Sequence, residues 1–249
     1  MIYAHRGASA ELPENTLEAF RLALELGATA IETDAHVTRD GRIVLCHDPD
    51  GERVAGVARA IRDLTLGEVR AWDLGARFTP RRPGAFEPGR PYRVPTLEEA
   101  LDAFPGVPFN VDAKETKRDI APPLLRAIRA SGAEDRVRIA SFSTRTLERV
   151  RRLGYAGETA LGPQEIARAM FLPAAALRWY RPAGHAAQVP RRAYGVAFAS
   201  QRAIDRLHAL GLRVDFWTID DPDEARRLFG LGADGVMTDD VRAVAPSLR

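Results

Sequence analysis

Lysine is nearly missing from this chain of 249 residues: Lys114 and Lys117 are the two, and every other Lys/Arg position is arginine. Cysteine occurs once, as Cys46, which excludes an intramolecular disulfide. No apolar run approaches the ~18 residues that a membrane-crossing helix needs, so neither a spanning helix nor stable membrane association is expected. The start, Met1-Ile2-Tyr3-Ala4-His5, lacks a basic stretch followed by an apolar one. No signal peptide is therefore expected, and the cytoplasm is the expected compartment. Neither sign of charge is in large excess: the formal net charge is +2 and no run of five like charges occurs. That argues against nucleic-acid binding through a basic face. Walker and dinucleotide glycine fingerprints are also missing, and Gly7 and Gly41 read as turn glycines.

What is present is a globular composition, 45% hydrophobic and 28% charged, which excludes disorder. The length is generous for an average domain and ordinary for one α/β barrel, so residues 1–249 are read as a single domain. One unit recurs along it. A helical pattern closes on Leu-Gly and a short apolar strand follows, at Leu26-Gly27, Leu153-Gly154, Leu210-Gly211 and Leu231-Gly232. Glycine just past a helix end supplies a left-handed cap. Helix and strand in alternation imply parallel strands with crossover helices. Strands are expected at 2–5, 30–35, 42–47, 108–113, 137–141, 156–161, 186–189, 212–217 and 234–238. That is one more than a (β/α)8 barrel requires, so 42–47 is expected as an extension beside the second barrel strand. Asn15 with Glu18 and Thr96 with Glu99 have capping-box spacing, and Asp221-Pro222 reads as a cap followed by the first helical residue. Residues 73–95 and 180–196 show no periodicity and are expected as irregular rim segments.

The chemistry-bearing residues gather at predicted strand ends. His5-Arg6 close the first strand, Glu32 and Asp34 the second, Asp112 and Lys114 the third, and Trp217 the seventh. In a barrel of this class, sites lie at the carboxyl ends of the strands. Glu32 and Asp34, two apart on a strand, point to one face. Three carboxylates brought together repel unless a cation neutralises them, and hard oxygen donors suit Mg²⁺ or Ca²⁺; ion pairs with nearby arginines are the competing reading. Two histidines, His5 and His47, suit acid and base work near neutral pH. Cys46 and His47 are strand neighbours facing opposite ways, so they form no nucleophile–base pair, and Cys46 reads as a small core residue. His36 is expected exposed in a turn, and His208 as helix packing. His185 falls in an irregular stretch that assigns it neither role.

The motifs His5-Arg6-Gly7-Ala8, Pro13-Glu14-Asn15-Thr16, Glu32-Thr33-Asp34 and His47-Asp48-Pro49 resemble the glycerophosphodiester phosphodiesterase family. Asn110-Val111-Asp112-Ala113-Lys114, Ser141-Phe142-Ser143, Trp217-Thr218 and Gly235-Val236-Met237-Thr238-Asp239 continue the likeness to about Asp240. The resemblance implies a (β/α)8 barrel that hydrolyses glycerophosphodiesters to glycerol 3-phosphate and an alcohol. It implies His5 and His47 as the acid–base pair and Glu32, Asp34 and Asp112 as ligands of one divalent cation, Mg²⁺ or Ca²⁺. Arg6 and Lys114 would take the phosphate oxygens, and Trp217 would stack on the glycerol carbons or pack at the rim. Where the family pattern has glutamate, this chain has Asp112. Two other readings share these residues: a lipid-cleaving enzyme of the phospholipase D toxin type, and a barrel that binds a phosphate ester without turning it over. The first is typically secreted and disulfide-stapled, unlike this chain; retention of both histidines speaks against the second.

Overall fold

Short runs of β-branched and small residues, flanked by glycine-capped helices, build the sheet in the computed structural model, which describes residues 1–193 and 195–248. The strands are β1 (Ile2–His5), β2 (Ala30–Val37), β3 (Ile43–Leu45), β4 (Asp50–Gly51), β5 (Val57–Ala60), β6 (Phe109–Ala113), β7 (Val137–Ala140), β8 (Ala186–Val189), β9 (Arg192–Ala193), β10 (Val196–Ala197), β11 (Arg213–Phe216) and β12 (Gly235–Thr238). Seven of them run in the order β7-β6-β2-β1-β12-β11-β8. All neighbours on that path are parallel. The two outer strands are joined through residues 159 and 160. Ile139 bridges Thr159 and Ala160 bridges Ala186, both parallel. Ala160 N donates to Ile139 O at 2.9 Å, and Leu161 N to Ala186 O at 2.8 Å. The segment expected as a strand at 156–161 is thus a two-residue stave that closes a (β/α)8 barrel.

The ninth expected strand falls as the sequence suggests. β3 pairs antiparallel with the end of β2, Ala35 opposite Leu45 and Val37 opposite Ile43. The left-handed caps are present at Gly27, Gly154, Gly211 and Gly232, all with positive φ. Thr96 with Glu99 forms a full capping box, and Asp221 caps the helix Pro222–Gly230. Asn15 does not cap. The cap of the helix Leu17–Glu25 is Thr16, whose side chain accepts from Ala19 N. The helices seal their apolar faces onto the outside of the barrel. Phe20, for example, meets Phe104 and Phe109 edge-on at 6.2 and 6.1 Å. Among the described residues no helix is long and apolar enough to cross a membrane.

Residues 73–95 are strapped down. Asp73 Oδ1 accepts from Gly75 N and Tyr92 N at 2.9 and 3.0 Å. Leu74 and Tyr92 pack with Val44, Cys46 and Ile61. Cys46 is the core residue its parity predicts, and burial pushes its thiol up to about 12. Arg81 N and Arg82 N both donate to Ala10 O, which ties the segment to the loop after β1.

The interior of the barrel is polar from its base. Arg138 Nη1 donates to Tyr3 Oη at 2.8 Å and to Asp215 Oδ2 at 2.9 Å. Gln188 Nε2 donates to Asn110 Oδ1 at 2.7 Å, one layer above. Gly235 makes room for the lowest layer: a Cβ there would lie 2.5 Å from Asp215 Oδ1 and 2.8 Å from the Tyr3 ring. Gly235→Ala is therefore expected to destabilise the protein by about 1–3 kcal/mol, the usual cost of forcing atoms into a filled core. Urea unfolding of the two proteins measures it, and a difference below ~0.5 kcal/mol, the range of ordinary surface changes, would show that the layer adjusts freely.

Candidate active site

Register places the first groups. β1 pairs with β2 so that His5 lies beside Glu32, and β2 pairs with β6 so that Asp34 lies beside Asp112. All point inward at the carboxyl end of the barrel. Lys114, one residue beyond β6, is held by its backbone N–H on Ala35 O at 3.1 Å. His5, Arg6, Glu32, His47, Asp112 and Lys114 line one cleft of about 260 Å³. Phe142, Leu161, Ile166 and Trp217 form its apolar side. Trp217 packs edge-on against Phe142 at 5.7 Å, and Lys114 Nζ lies 5.4 Å from the Phe142 ring centre. Asp34 is beneath this floor, 1% exposed. The eight residues expected to carry catalysis, substrate contact or metal are thus in the cleft or directly under it.

The carboxylates are held by cations of the chain itself. Lys114 Nζ bridges Asp112 Oδ2 at 2.8 Å and Asp34 Oδ1 at 3.1 Å, and Arg6 Nε lies 3.1 Å from Asp34 Oδ2. Burial works against the Asp34 anion, yet Lys114 and Arg6 hold its carboxyl below the usual range. Burial and the neighbouring Asp34 charge push Glu32 up to about 8. Burial also raises Asp112, against the pull of Lys114. Burial opposes the Lys114 ammonium too, but Asp112 and Asp34 together raise its pKa well above that of free lysine.

Among the described residues, no three His, Cys, Asp or Glu side chains stand in a ready-made metal-ligating group. The donor set itself suits a hard cation. Three buried carboxylates share one end of the barrel, and Asp112 Oδ1 is buried with no hydrogen-bond partner. Glu32, with its raised pKa, is short of a compensating positive charge.

Each candidate catalytic histidine rests on a carboxylate. His5 Nδ1 is 2.6 Å from Asp239 Oδ1, and His47 Nδ1 is 2.8 Å from Asp48 Oδ1. That contact fixes ring orientation and leaves Nε2 to face the cleft. Asp239 is held in turn by Ser9 Oγ at 3.0 Å and Arg81 Nη2 at 2.9 Å. Asp48 Oδ2 accepts from Arg53 Nε at 2.6 Å, and Arg53 also grips Glu14 at 2.7 and 2.8 Å. Glu14 lies 3.3 Å from Arg6 Nη1, so a chain of alternating charges runs from Arg6 to His47. Asp48 is the chain neighbour of the imidazole it holds, whereas nothing in the chain order tied Asp239 to His5.

Asn15 is the other residue whose role the sequence hid. Its Nδ2 donates to Asp34 Oδ2 at 3.1 Å, and its Oδ1 accepts from Thr33 Oγ1 at 2.6 Å. Among the described residues, Arg6 and Asn15 are the two non-glycine positions with positive φ, 60° and 58°, and Asn15 N donates to Arg6 O at 2.9 Å. Left-handed backbone at non-glycine positions costs of order 1–3 kcal/mol each and persists where the surroundings enforce it. Here it turns two side chains onto the same buried carboxylate.

Two histidines depart from expectation. His36, expected exposed, is 2% exposed, because β3 lies across the end of β2 and covers it. Its Nε2 is 3.2 Å from His47 O, so it helps seat the His47 segment. His208, expected as helix packing, is instead exposed, with Nε2 2.9 Å from Asp234 Oδ2. His185 is exposed, and its Nδ1 accepts from Thr159 N at 3.3 Å beside the closing stave. The described residues lining the cleft include none from 73–95; within 180–196, Gln188 reaches it and Tyr194 lies outside the described residues.

A parallel barrel with histidines and carboxylates at the carboxyl end of its strands is an enzyme framework. The pattern of the glycerophosphoryl diester phosphodiesterase family matches residues 5–243. The chain belongs to that family. It is 35% identical to the probable glycerophosphodiester phosphodiesterase 2 of Mycobacterium tuberculosis, over 95% of this chain and 86% of that one. The crystal structure of a putative glycerophosphoryl diester phosphodiesterase from Silicibacter pomeroyi superposes with a TM-score of 0.83 at 27% identity, covering 99% of this chain and 92% of the other. The fold is also shared with an Oleispira antarctica phosphodiesterase solved with the product sn-glycerol-3-phosphate, at TM-score 0.80 and 21% identity, covering 100% and 96% of the two chains.

Burial works against a charged His5, but Glu32 and the hydrogen bond to Asp239 raise its pKa above 6.5 on balance. Asp239→Asn is expected to lower the His5 pKa, since burial then meets less opposition. NMR titration of the imidazole in metal-free protein reads it. The raised folded-state value means that protonation of His5 stabilises the fold below its unfolded pKa, a contribution lost as pH rises through the folded value. A His5 pKa equal in wild type and variant would show that Asp239 does not act on the ring.

Proposed function

We propose that this barrel hydrolyses glycerophosphodiesters to glycerol 3-phosphate and an alcohol, using His5 and His47 as the acid–base pair. The observation that carries the reading is that both imidazoles, each braced by its own carboxylate, open onto the cleft that also holds Arg6 and Lys114. One histidine takes the proton of the nucleophile, which is water or the glycerol 2-hydroxyl, and the other supplies a proton to the departing alkoxide; where the 2-hydroxyl attacks, water then opens the cyclic phosphate it forms. Arg6, a planar fork, and Lys114, a point charge, hold phosphate oxygens and offset the charge that builds on them. Trp217 and Phe142 present an apolar wall to the carbon skeleton. The product recorded with the Oleispira antarctica enzyme supports glycerol 3-phosphate as the retained half.

Glu32, Asp34 and Asp112 would hold one divalent cation, Mg²⁺ or Ca²⁺, which when bound polarises the phosphate and neutralises developing charge. The unpartnered Asp112 Oδ1 supports this. An ion held there would share with Lys114 the neutralisation of Asp34 and Asp112, leaving Lys114 available to phosphate oxygens.

The test is hydrolysis of glycerophosphocholine before and after chelation, with metal added back. Loss of turnover in EDTA and recovery with Mg²⁺ or Ca²⁺ is expected; full turnover in excess EDTA by protein free of metal would refute metal dependence. His5→Ala and His47→Ala are each expected to lower kcat by ~10²–10⁴-fold, the usual worth of a general acid or base, with Tm near wild type. A variant that melts early and keeps its kcat would make that histidine structural. Asp112→Asn is expected to lower metal affinity and kcat together, whereas retained affinity with unchanged kcat would leave Asp112 as the ion-pair partner of Lys114 alone.

A further inference from the structure

A second cavity opens beside the cleft, at the carboxyl ends of β8 and β11. It measures about 660 Å³ and shares Trp217 and Thr218 with the catalytic cleft. Its charged lining is Arg191, Arg192, Arg227 and Glu224. Glu224 is occupied by Arg227, with which it forms a two-point pair at 2.7 and 2.8 Å on one helix face. Arg191 and Arg192 are exposed; Arg191 acts on Glu224 at longer range than the direct Arg227 pair. Three arginines against one glutamate leave two positive charges in excess at the mouth of a site that handles a phosphodiester. In a chain whose net charge is only +2, that local excess is not a consequence of overall composition.

We propose that this cavity is a subsite for the alcohol half of the substrate, and that it selects alcohols carrying a second anionic group such as another phosphodiester. The proposal rests on the hydrolase reading above and adds the substrate class. Trp217 divides the two spaces, so a diester with its phosphorus between Arg6 and Lys114 extends its alcohol past Trp217 toward Arg191 and Arg192. Arginine suits the task, because its guanidinium stays charged at all working pH values and meets a phosphate with two parallel N–H groups. A cationic alcohol such as choline would face the same excess with the wrong sign. Arg191 and Arg192 follow Pro190 at the end of β8, whose ladder with β11 stops at Val189–Phe216, and Arg191 O accepts from Ala199 N at 3.1 Å. β9 and β10 then fold Arg192 back as a short antiparallel pair, Ala193 opposite Val196 and Arg192 opposite Ala197.

The measurement compares kcat/KM for bis(glycerophospho)glycerol with that for glycerophosphoglycerol, which lacks the second phosphodiester, and for glycerophosphocholine. The full-length enzyme is used, loaded with the cation that supports turnover. Wild type is expected to favour the doubly anionic substrate by about tenfold, mostly through KM, with a preference that shrinks as salt rises. Arg191→Ala combined with Arg192→Ala should bring that ratio close to one, and Arg191→Glu should push it below the alanine value. An equal loss on all three substrates would make the arginines structural and overturn the proposal. So would wild-type values that do not distinguish the substrates. Binding to phosphatidylglycerol vesicles that the double variant loses, with the substrate ratio unmoved, would assign the arginines to a lipid surface instead and also overturn it. Absence of turnover on every glycerophosphodiester would refute the hydrolase reading itself, an outcome distinct from turnover without selectivity.

Discussion

Three carboxylates packed into the end of one barrel set the terms for the rest of this structure. Unneutralised, Glu32, Asp34 and Asp112 would repel one another in a setting with little water to screen them. The chain answers with two of its own cations. Lys114 spans Asp34 and Asp112, and Arg6 takes the remaining oxygen of Asp34. These suffice for Asp34, which stays below the usual carboxylate range, and not for Glu32, which is pushed up to about 8. The imbalance is local and directional. It sets Glu32 apart from Asp34 although the two lie two residues apart on one strand.

Holding Arg6 there requires more than a strand end. β1 stops at His5, and the chain turns through left-handed backbone at Arg6 and again at Gly7. A Cβ at Gly7 would lie 2.7 Å from the Ala19 backbone, so glycine lets the first helix close over the turn. Asn15 then accepts a left-handed conformation of its own and donates to the carboxylate that Arg6 approaches. The strain at these two positions is local. It is maintained by Thr33, Asp34 and the backbone of Arg6, which is the usual situation where function fixes an unfavourable torsion. The same loop delivers Ser9 to Asp239, so the orientation of His5 depends on it as well.

The barrel was legible because its signals are local: helical periodicity, glycine caps and short apolar runs identify each element without its neighbours. The site was legible for a related reason. Strand parity fixes which side chains face inward, and that alone gathers Glu32, Asp34 and Asp112. What parity cannot give is the partner across space. Asp239 lies 234 positions from His5, and Arg81 reaches Asp239 from a segment without periodicity. His36 looked like a turn residue because exposure depends on what covers a strand, and β3 does so from outside the βα repeat. Asn15 carried a capping signal that its neighbour Thr16 fulfils, since an asparagine next to a threonine leaves two candidates one residue apart.

Asp112 shows how strand register sets the reach of a carboxylate. Its Cα sits opposite that of Asp34 in the β2–β6 ladder, so the shorter side chain keeps its carboxylate close to the strand. Lys114, two residues on and facing the same way, folds back over it and reaches both aspartates with one ammonium. A glutamate at 112 would project further into the cleft and compete for the space that Lys114 now holds. The chain's near-total lack of lysine sharpens the point. Arginine is the residue it uses almost everywhere a cation is needed, yet a planar fork cannot sit between two carboxylates as compactly as a single ammonium. At 114 the acidic floor meets a single ammonium that reaches both aspartates at once.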